Sequence, residues 1–234
     1  MQVFHPIVFI PGLLCDTQLW QNQIDAFSHL CSVQVADISL DDSITEMAKR
    51  LLANAPEKFN LVALSMGGYV AFEVVRLAPE RVIKLTLMDT SARLDTPKAA
   101  KHRKATIEFT QLGKFMGVTD KLLPQLIHPS RVHDPIADII KSMALRVGKT
   151  AFLKQQHAIL HRQDARALLA EIEIPTLVIV GEQDLVTPLS HAQEIQQGIP
   201  TAKLHILPNC GHLPPLEYPN ETTALLKDWF SSSN

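Results

Sequence analysis

Few cysteines, no long apolar run and no surplus of either charge mark this chain of 234 residues. Its three cysteines, Cys15, Cys31 and Cys210, are too few and too scattered for a disulfide scaffold or a zinc site. Cys210 reads as a small buried hydrophobe. No apolar run approaches the roughly 20 residues needed to span a bilayer. A formal net charge of −2 gives no electrostatic reason to expect nucleic acid or an anionic membrane as the main partner. Met1 to Ile10 is apolar but holds His5 and Pro6 and has no basic leader, so it reads as a first strand rather than an export signal. A reducing cytoplasm is the expected location. With 46% hydrophobic and 20% charged residues, the composition is that of an ordinary folded domain rather than a disordered chain.

Short aliphatic runs alternate with stretches of helical period. The runs are Ile7 to Ile10, Val33 to Ile38, Leu61 to Leu64, Val82 to Met88, Thr176 to Val180 and Lys203 to Leu207. Most are continuously apolar instead of alternating, which suits strands covered on both faces. Helices are expected over Gln18 to Leu30 after an Asp16 cap, Ile44 to Asn54 with a Ser43/Glu46 capping box, and Tyr69 to Ala78 ending at Pro79. Two more are expected over Ser190 to Gln197, closed by Gly198 as a C′ glycine, and Glu221 to Phe230. The fold class is therefore α/β: a mostly parallel, doubly wound sheet of about six to seven strands with helices on both faces. From Arg93 to Ala170 no strand pattern is visible, and the stretch is too long for a simple connection. It reads as an inserted helical lid, 93–170, on a core domain made of 1–92 and 171–234.

The strongest chemical signal is Leu64-Ser65-Met66-Gly67-Gly68, directly after an apolar strand and directly before a helix. A serine on such a turn has its hydroxyl lifted above the sheet edge, and the following N–H groups face any negative charge that develops there. Strand, turn and helix pass close together, so small residues are needed at Ala63 and Gly67. The second signal is Val178 to Asp184, a strand running into a loop that ends in an acid; the third is Asn209-Cys210-Gly211-His212, a loop after the last strand. All three fall at the C-terminal ends of expected parallel strands, where open α/β sheets assemble their sites. A histidine there accepts the serine proton, and a buried carboxylate fixes its tautomer. Asp89, at the end of the fourth run, is the rival acid, with a turn-capping role through Thr90 and Ser91 as its plainer reading.

These motifs, together with Ile10-Pro11-Gly12-Leu13-Leu14, Gly181-Glu182-Gln183-Asp184 and Gly211-His212-Leu213-Pro214-Pro215-Leu216-Glu217, resemble the α/β-hydrolase superfamily over essentially the whole chain. The last stretch is similar to compact carboxylesterases and to the bacterial group that contains pimeloyl-carrier methyl esterases and menaquinone-pathway enzymes. The resemblance implies an eight-strand plan, of which about six strands are visible. It casts Ser65, Asp184 and His212 as a catalytic triad and Pro11 to Cys15 as the oxyanion loop. Pro11 has no N–H, so by position the backbone N–H groups of Leu13 and Met66 are the candidate oxyanion donors.

The reaction expected is hydrolysis of a carboxylic ester, including thioesters, of a small or acyl substrate, with no cofactor and no metal. A lyase, carbon–carbon hydrolase or perhydrolase on the same triad is the first alternative, and a ligand-binding protein on the same fold the second. His157 and His161 have an i, i+4 spacing that can hold a metal, but no third ligand is evident nearby. The basic run Lys98, Lys101, His102, Arg103 and Lys104 fits either a solvated helix face or a docking patch for an acyl carrier protein or a carboxylate-bearing substrate. Phe109, Phe115, Met116, Leu122, Leu123 and Leu126 would pack on the core or line an acyl pocket.

Overall fold

A computed structural model describes residues 4–113 and 115–232. Its sheet holds six parallel strands: β1 (Ile7–Ile10), β2 (Val33–Val35), β3 (Phe59–Leu64), β4 (Val82–Met88), β5 (Thr176–Gly181) and β6 (Lys203–Leu207). Their spatial order is β2-β1-β3-β4-β5-β6. The chain thus winds outward from β1 to β2, returns across β1 to β3, and then runs to the other edge. That reversal leaves a crevice beyond the C-terminal ends of β1 and β3.

In the four inner strands, β1, β3, β4 and β5, side chains alternate between two buried layers, which is why those runs are largely apolar. Val8, Ile10, Leu61, Ala63, Leu85, Leu87, Val178 and Val180 face one core. Ile7, Phe9, Val62, Leu64, Leu177 and Ile179 face the other. Helix α1 (Gln21–Phe27) supplies Phe27 to the second layer. Helices α2 (Ile44–Asn54) and α3 (Met66–Leu77) pack on the first.

Between β4 and β5 the described residues form only helices: α4 (Pro97–Leu112), α5 (Leu123–Leu126), α6 (Pro135–Leu160) and α7 (Arg166–Leu169). Gly148, at φ +77°, breaks α6 into two pieces, a conformation that glycine adopts without steric cost. The chain closes with α8 (Leu189–Gly198), α9 (Pro214–Glu217) and α10 (Pro219–Ser231). Lys84 of β4, buried, donates to the carbonyls of Trp229 and Ser232 and so ties α10 to the sheet. Among the described residues no helix is long and apolar enough to cross a membrane.

Several local expectations fail. The first helix is split: Asp16 caps a short 3₁₀ turn, Thr17–Trp20, and α1 follows it. Ser43 makes no side-chain cap bond, and the Glu46 side chain pairs with Lys49 at 2.8 Å. Gly198 is the last helical residue and not a left-handed C′ cap; it is small because a Cβ would meet the Leu169 side chain at 2.7 Å. Of the apolar residues of 109–126, Leu123 is buried, whereas Phe109 and Met116 point outward with 76% and 60% exposure. The inner face of α4 is taken by Ile107 and Thr110.

Gly181 ends β5 beneath the loop after β6, and a Cβ there would lie inside the backbone carbonyls of Gly211 and Cys210. Backbone atoms pinned on both sides cannot yield as a flexible side chain would. Gly181→Ala is expected to lower the unfolding free energy by about 2–3 kcal/mol, measured by urea titration; a loss below about 0.5 kcal/mol would contradict this packing.

Candidate active site

Ser65 stands between the last residue of β3 and the first of α3, with φ +55° and ψ −117°. A non-glycine residue is held there only when its surroundings over-determine it, at a cost of about 1–3 kcal/mol. Three constraints do so. The Ser65 N–H donates to the Met88 carbonyl at 2.9 Å, and its carbonyl accepts from Thr90 Oγ1 at 2.7 Å. The third is steric: a Cβ on Gly67 would lie 2.6 Å from the Ile10 carbonyl oxygen and 2.7 Å from that of Pro11. Helix α3 therefore begins hard against the end of β1. Ala63, in place of the glycine usual two residues before such a serine, is fully buried in β3 without disturbing the turn.

His212 and Asp184 arrive from the ends of β6 and β5. His212 Nε2 lies 2.8 Å from Ser65 Oγ, and His212 Nδ1 lies 2.8 Å from Asp184 Oδ2. Asp184 is 3% exposed and also accepts from the N–H groups of Val186 and Thr187 and from Thr187 Oγ1 at 2.7 Å. Burial alone would raise its pKa, but the His212 imidazole and these donors outweigh it and hold the carboxyl below the usual range. The carboxylate charge thus persists in a dry setting, facing the ring nitrogen distal to Ser65.

Sequence reasoning assigned no role to Glu217, yet it fixes the histidine. Its carboxylate, 1% exposed, accepts from the N–H groups of Gly211, Leu213 and His128, the last at 2.7 Å. One buried anion thereby clamps the loop that carries His212 to the stretch between α5 and α6. The only signal was an acid in an otherwise apolar stretch, Leu213 to Leu216, where a charge needs several donors to be buried.

The loop Pro11 to Cys15 runs beside Ser65: a Cβ on Gly12 would come 3.3 Å from Ser65 Cβ. Leu14, at φ +60°, donates its N–H to Gln155 Oε1 at 3.2 Å, and Gln155 also reaches the Ile38 carbonyl. Among the described residues the N–H groups of Leu13 and Met66 have no internal acceptor. Gln155, buried in α6, is a second residue that sequence reasoning missed; its polarity on an apolar helix face was the available clue.

Asp89 does not touch Ser65, and it does not merely cap a turn. It is 1% exposed at φ +43°, accepts from Gly181 N–H through Oδ1, and buries Oδ2 without a partner among the described residues. One ligating atom from each of Asp89, Asp184 and His212 lies within 4.8 Å of the others. Burial first, and then the Asp184 carboxylate, push Asp89 well above the usual carboxylate range. The two acids are thus driven in opposite directions, Asp89 toward the neutral form and Asp184 toward the charged one.

His157 and His161 stack with ring centroids 6.1 Å apart, and His161 Nδ1 is 2.9 Å from the His157 carbonyl, an arrangement of backbone capping rather than of paired ligands. The basic run divides. Lys98, Lys101 and Lys104 are exposed, whereas Arg103 is turned inward.

Above Ser65 and His212 opens a cavity of about 380 Å³. One wall is the Gly12–Cys15 loop and Leu213; the other is apolar residues of the β4–β5 helical segment, among them Val118, Leu122, Leu126, Ile140 and Phe152. Arg103, His102 and Gln156 supply polar groups on that second wall.

Residues 7–225 match the model of the alpha/beta hydrolase family. The pimeloyl-[acyl-carrier protein] methyl ester esterase of Nitrosomonas europaea is 26% identical over 230 residues, covering 92% of this chain and 91% of its own. A monoacylglycerol lipase of Mus musculus is 26% identical, covering 83% of this chain and 63% of its own. Among solved structures, a thermophilic esterase from Thermogutta terrifontis with malate bound superposes with a TM-score of 0.87 at 27% identity, over 98% of this chain and 90% of that one. An enol-lactonase from Burkholderia xenovorans shares the fold at a TM-score of 0.85 and 21% identity, over 98% and 92%.

A group protonated in the folded state at pH values where the unfolded chain has lost its proton makes stability fall as pH rises. For Asp89 that fall begins near its unfolded pKa of about 4. Asp89→Asn keeps the shape and neutrality of the protonated acid, so its stability relative to wild type should improve between pH 4 and pH 7. Urea midpoints for both proteins at the two pH values check this; a mutant whose stability relative to wild type stays level or falls from pH 4 to pH 7 would mean that Asp89 is ionised.

Proposed function

The chain belongs to the alpha/beta hydrolase family, and from that premise we propose that it hydrolyses a carboxylic ester, thioesters included, through an acyl-enzyme. The observation that carries this reading is the unbroken hydrogen-bonded series Ser65–His212–Asp184 beneath an apolar cavity. Ser65 Oγ attacks the ester carbonyl while His212 Nε2 takes its proton. Asp184, charged and dry, fixes the tautomer with the Nδ1 proton and stabilises the imidazolium. The carbonyl oxygen, now negative, is received by the Leu13 and Met66 N–H groups; one such donor in a comparable site is worth about 3 kcal/mol. Collapse expels the alcohol or thiol, protonated by His212. Water, deprotonated by the same ring, then attacks the acyl-enzyme to release the acid and restore Ser65.

Substrate class follows the same evidence. The esterase names of the sequence relative and the structural neighbour favour ester cleavage over the lyase and carbon–carbon alternatives. The relative's name also makes an acyl group delivered on an acyl carrier protein a reasonable partner. Residues 93–170 act as a lid over the core of 1–92 and 171–234, since helices of that segment supply one wall of the cavity and core loops the other. The three unpaired cysteines favour a reducing compartment, the cytoplasm.

Ser65→Ala is expected to lower kcat/KM on a p-nitrophenyl ester by about 10⁴-fold or more, and Asp184→Asn by about 10⁴-fold. Wild type should take up one fluorophosphonate per chain by intact mass, and Ser65→Ala none. Full activity in Ser65→Ala would reject the mechanism.

A further inference from the structure

The cavity above Ser65 is not uniformly apolar. No carboxylate side chain lines it among the described residues, whereas Arg103 does. Arg103 is held rather than free. Its Nε donates to Asp95 Oδ2 at 2.7 Å, one Nη reaches Asp95 Oδ1 at 3.4 Å, and the other donates to Gln156 Oε1. These three bonds leave two of its five N–H groups uncommitted. Gln156, 5% exposed, makes no bond through its own amide N–H groups among the described residues, so the pair offers several donors to the cavity.

The charges do not cancel. Asp95 is shared with Arg162, whose Nη2 lies 2.9 Å from Asp95 Oδ1. Arg162, with a side chain 5% exposed, also donates to the carbonyls of Arg93 and Ile159 and stacks 4.4 Å over the Tyr69 ring. Two guanidiniums against one carboxylate leave one positive charge. Arg162 commits four of its five N–H groups within the protein and does not line this cavity, whereas Arg103 does, so the unspent part lies with Arg103. A tether between α4 and α6 would need neither the inward aim nor the excess charge.

We propose that Arg103, braced by Asp95 and Gln156, is the specificity-determining residue of this cavity, and that the preferred substrates are esters whose acyl chain ends in a free carboxylate. This rests on the ester-hydrolase reading above and adds the substrate class to it. A planar carboxylate matches the fork of a guanidinium, and the apolar residues that line the cavity together with Ser65 and Arg103 suit a short methylene chain. At about 380 Å³ the cavity has room for a short-chain ester that carries a second polar end. Monoesters of dicarboxylic acids such as adipate are of that kind.

The test compares kcat/KM for monomethyl adipate and methyl hexanoate, an anionic and a neutral ester of equal chain length, at pH 7. Wild type is expected to favour the anionic ester by about tenfold or more. Arg103→Gln should bring that ratio close to one, Arg103→Lys should keep part of it, and Lys104→Gln, on the exposed face of α4, should keep all of it. A wild-type ratio near or below one, or a ratio retained in Arg103→Gln, would overturn the proposal. Calorimetric titration of wild type and Arg103→Gln with adipate reads the site without turnover. If neither ester is cleaved, the hydrolase reading fails; adipate binding that depends on Arg103 would still support the anion site, and its absence would overturn that too.

Discussion

The approach of helix α3 to the end of strand β1 is the constraint on which the site depends. Gly67 touches the carbonyls of Ile10 and Pro11 with no room for a methyl group, and that contact sets the angle at which β3 turns into the helix. Ser65, at the corner, has to adopt φ +55°. The strain is small beside the packing on either side, where β1 and β3 carry fully buried side chains on both faces. The same contact brings the Gly12–Cys15 loop alongside the serine. One steric requirement thus aligns a hydroxyl, the N-terminus of a helix and a loop amide at the reversal point of the sheet.

Buried acids do the rest of the positioning, and they do it in different charge states. Asp184 is surrounded by donors and stays ionised. Asp89, with one donor and a charged neighbour, is pushed toward neutrality. Glu217 receives amides from two separate parts of the chain. On the side of the ring away from Ser65, His212 meets the Asp184 carboxylate, with the Asp89 carboxyl, pushed toward neutrality, behind it. Such an asymmetry favours an imidazole that gains a proton on its serine side, the event the proposed reaction requires.

The helices between β4 and β5 supply the chemistry of the cavity wall. Their packing on the core includes polar links: Gln155 reaches the Leu14 amide and the Ile38 carbonyl, and the His128 amide reaches the Glu217 carboxylate. Polar links of this sort hold register while leaving apolar side chains such as Leu122 and Phe152 facing the cavity.

The six strands were legible in the sequence, most plainly the inner four, because strands buried on both faces leave short, largely apolar runs that little else produces. The serine turn was legible for a related reason: a Ser-Met-Gly-Gly corner after such a run has few uses. Asp184 and His212 could be picked from the chain because they follow strands whose C-terminal ends must share one edge. Finer features were hidden. The Ser43/Glu46 pattern is a local rule that the helix start does not follow, and the outward aim of Phe109 follows from how α4 is rotated on its neighbours. The parallel α/β sheet, the serine corner and the residues able to complete it follow from the chain alone, since strand period and turn sterics act over a few neighbouring residues. Which buried acid is held in its charged form, which amides Glu217 and Gln155 hold, and that Arg103 alone of the lysine and arginine side chains in its run turns inward are outcomes of the folded arrangement. Those outcomes depend on desolvation and partners brought together from distant parts of the chain, which no local pattern encodes.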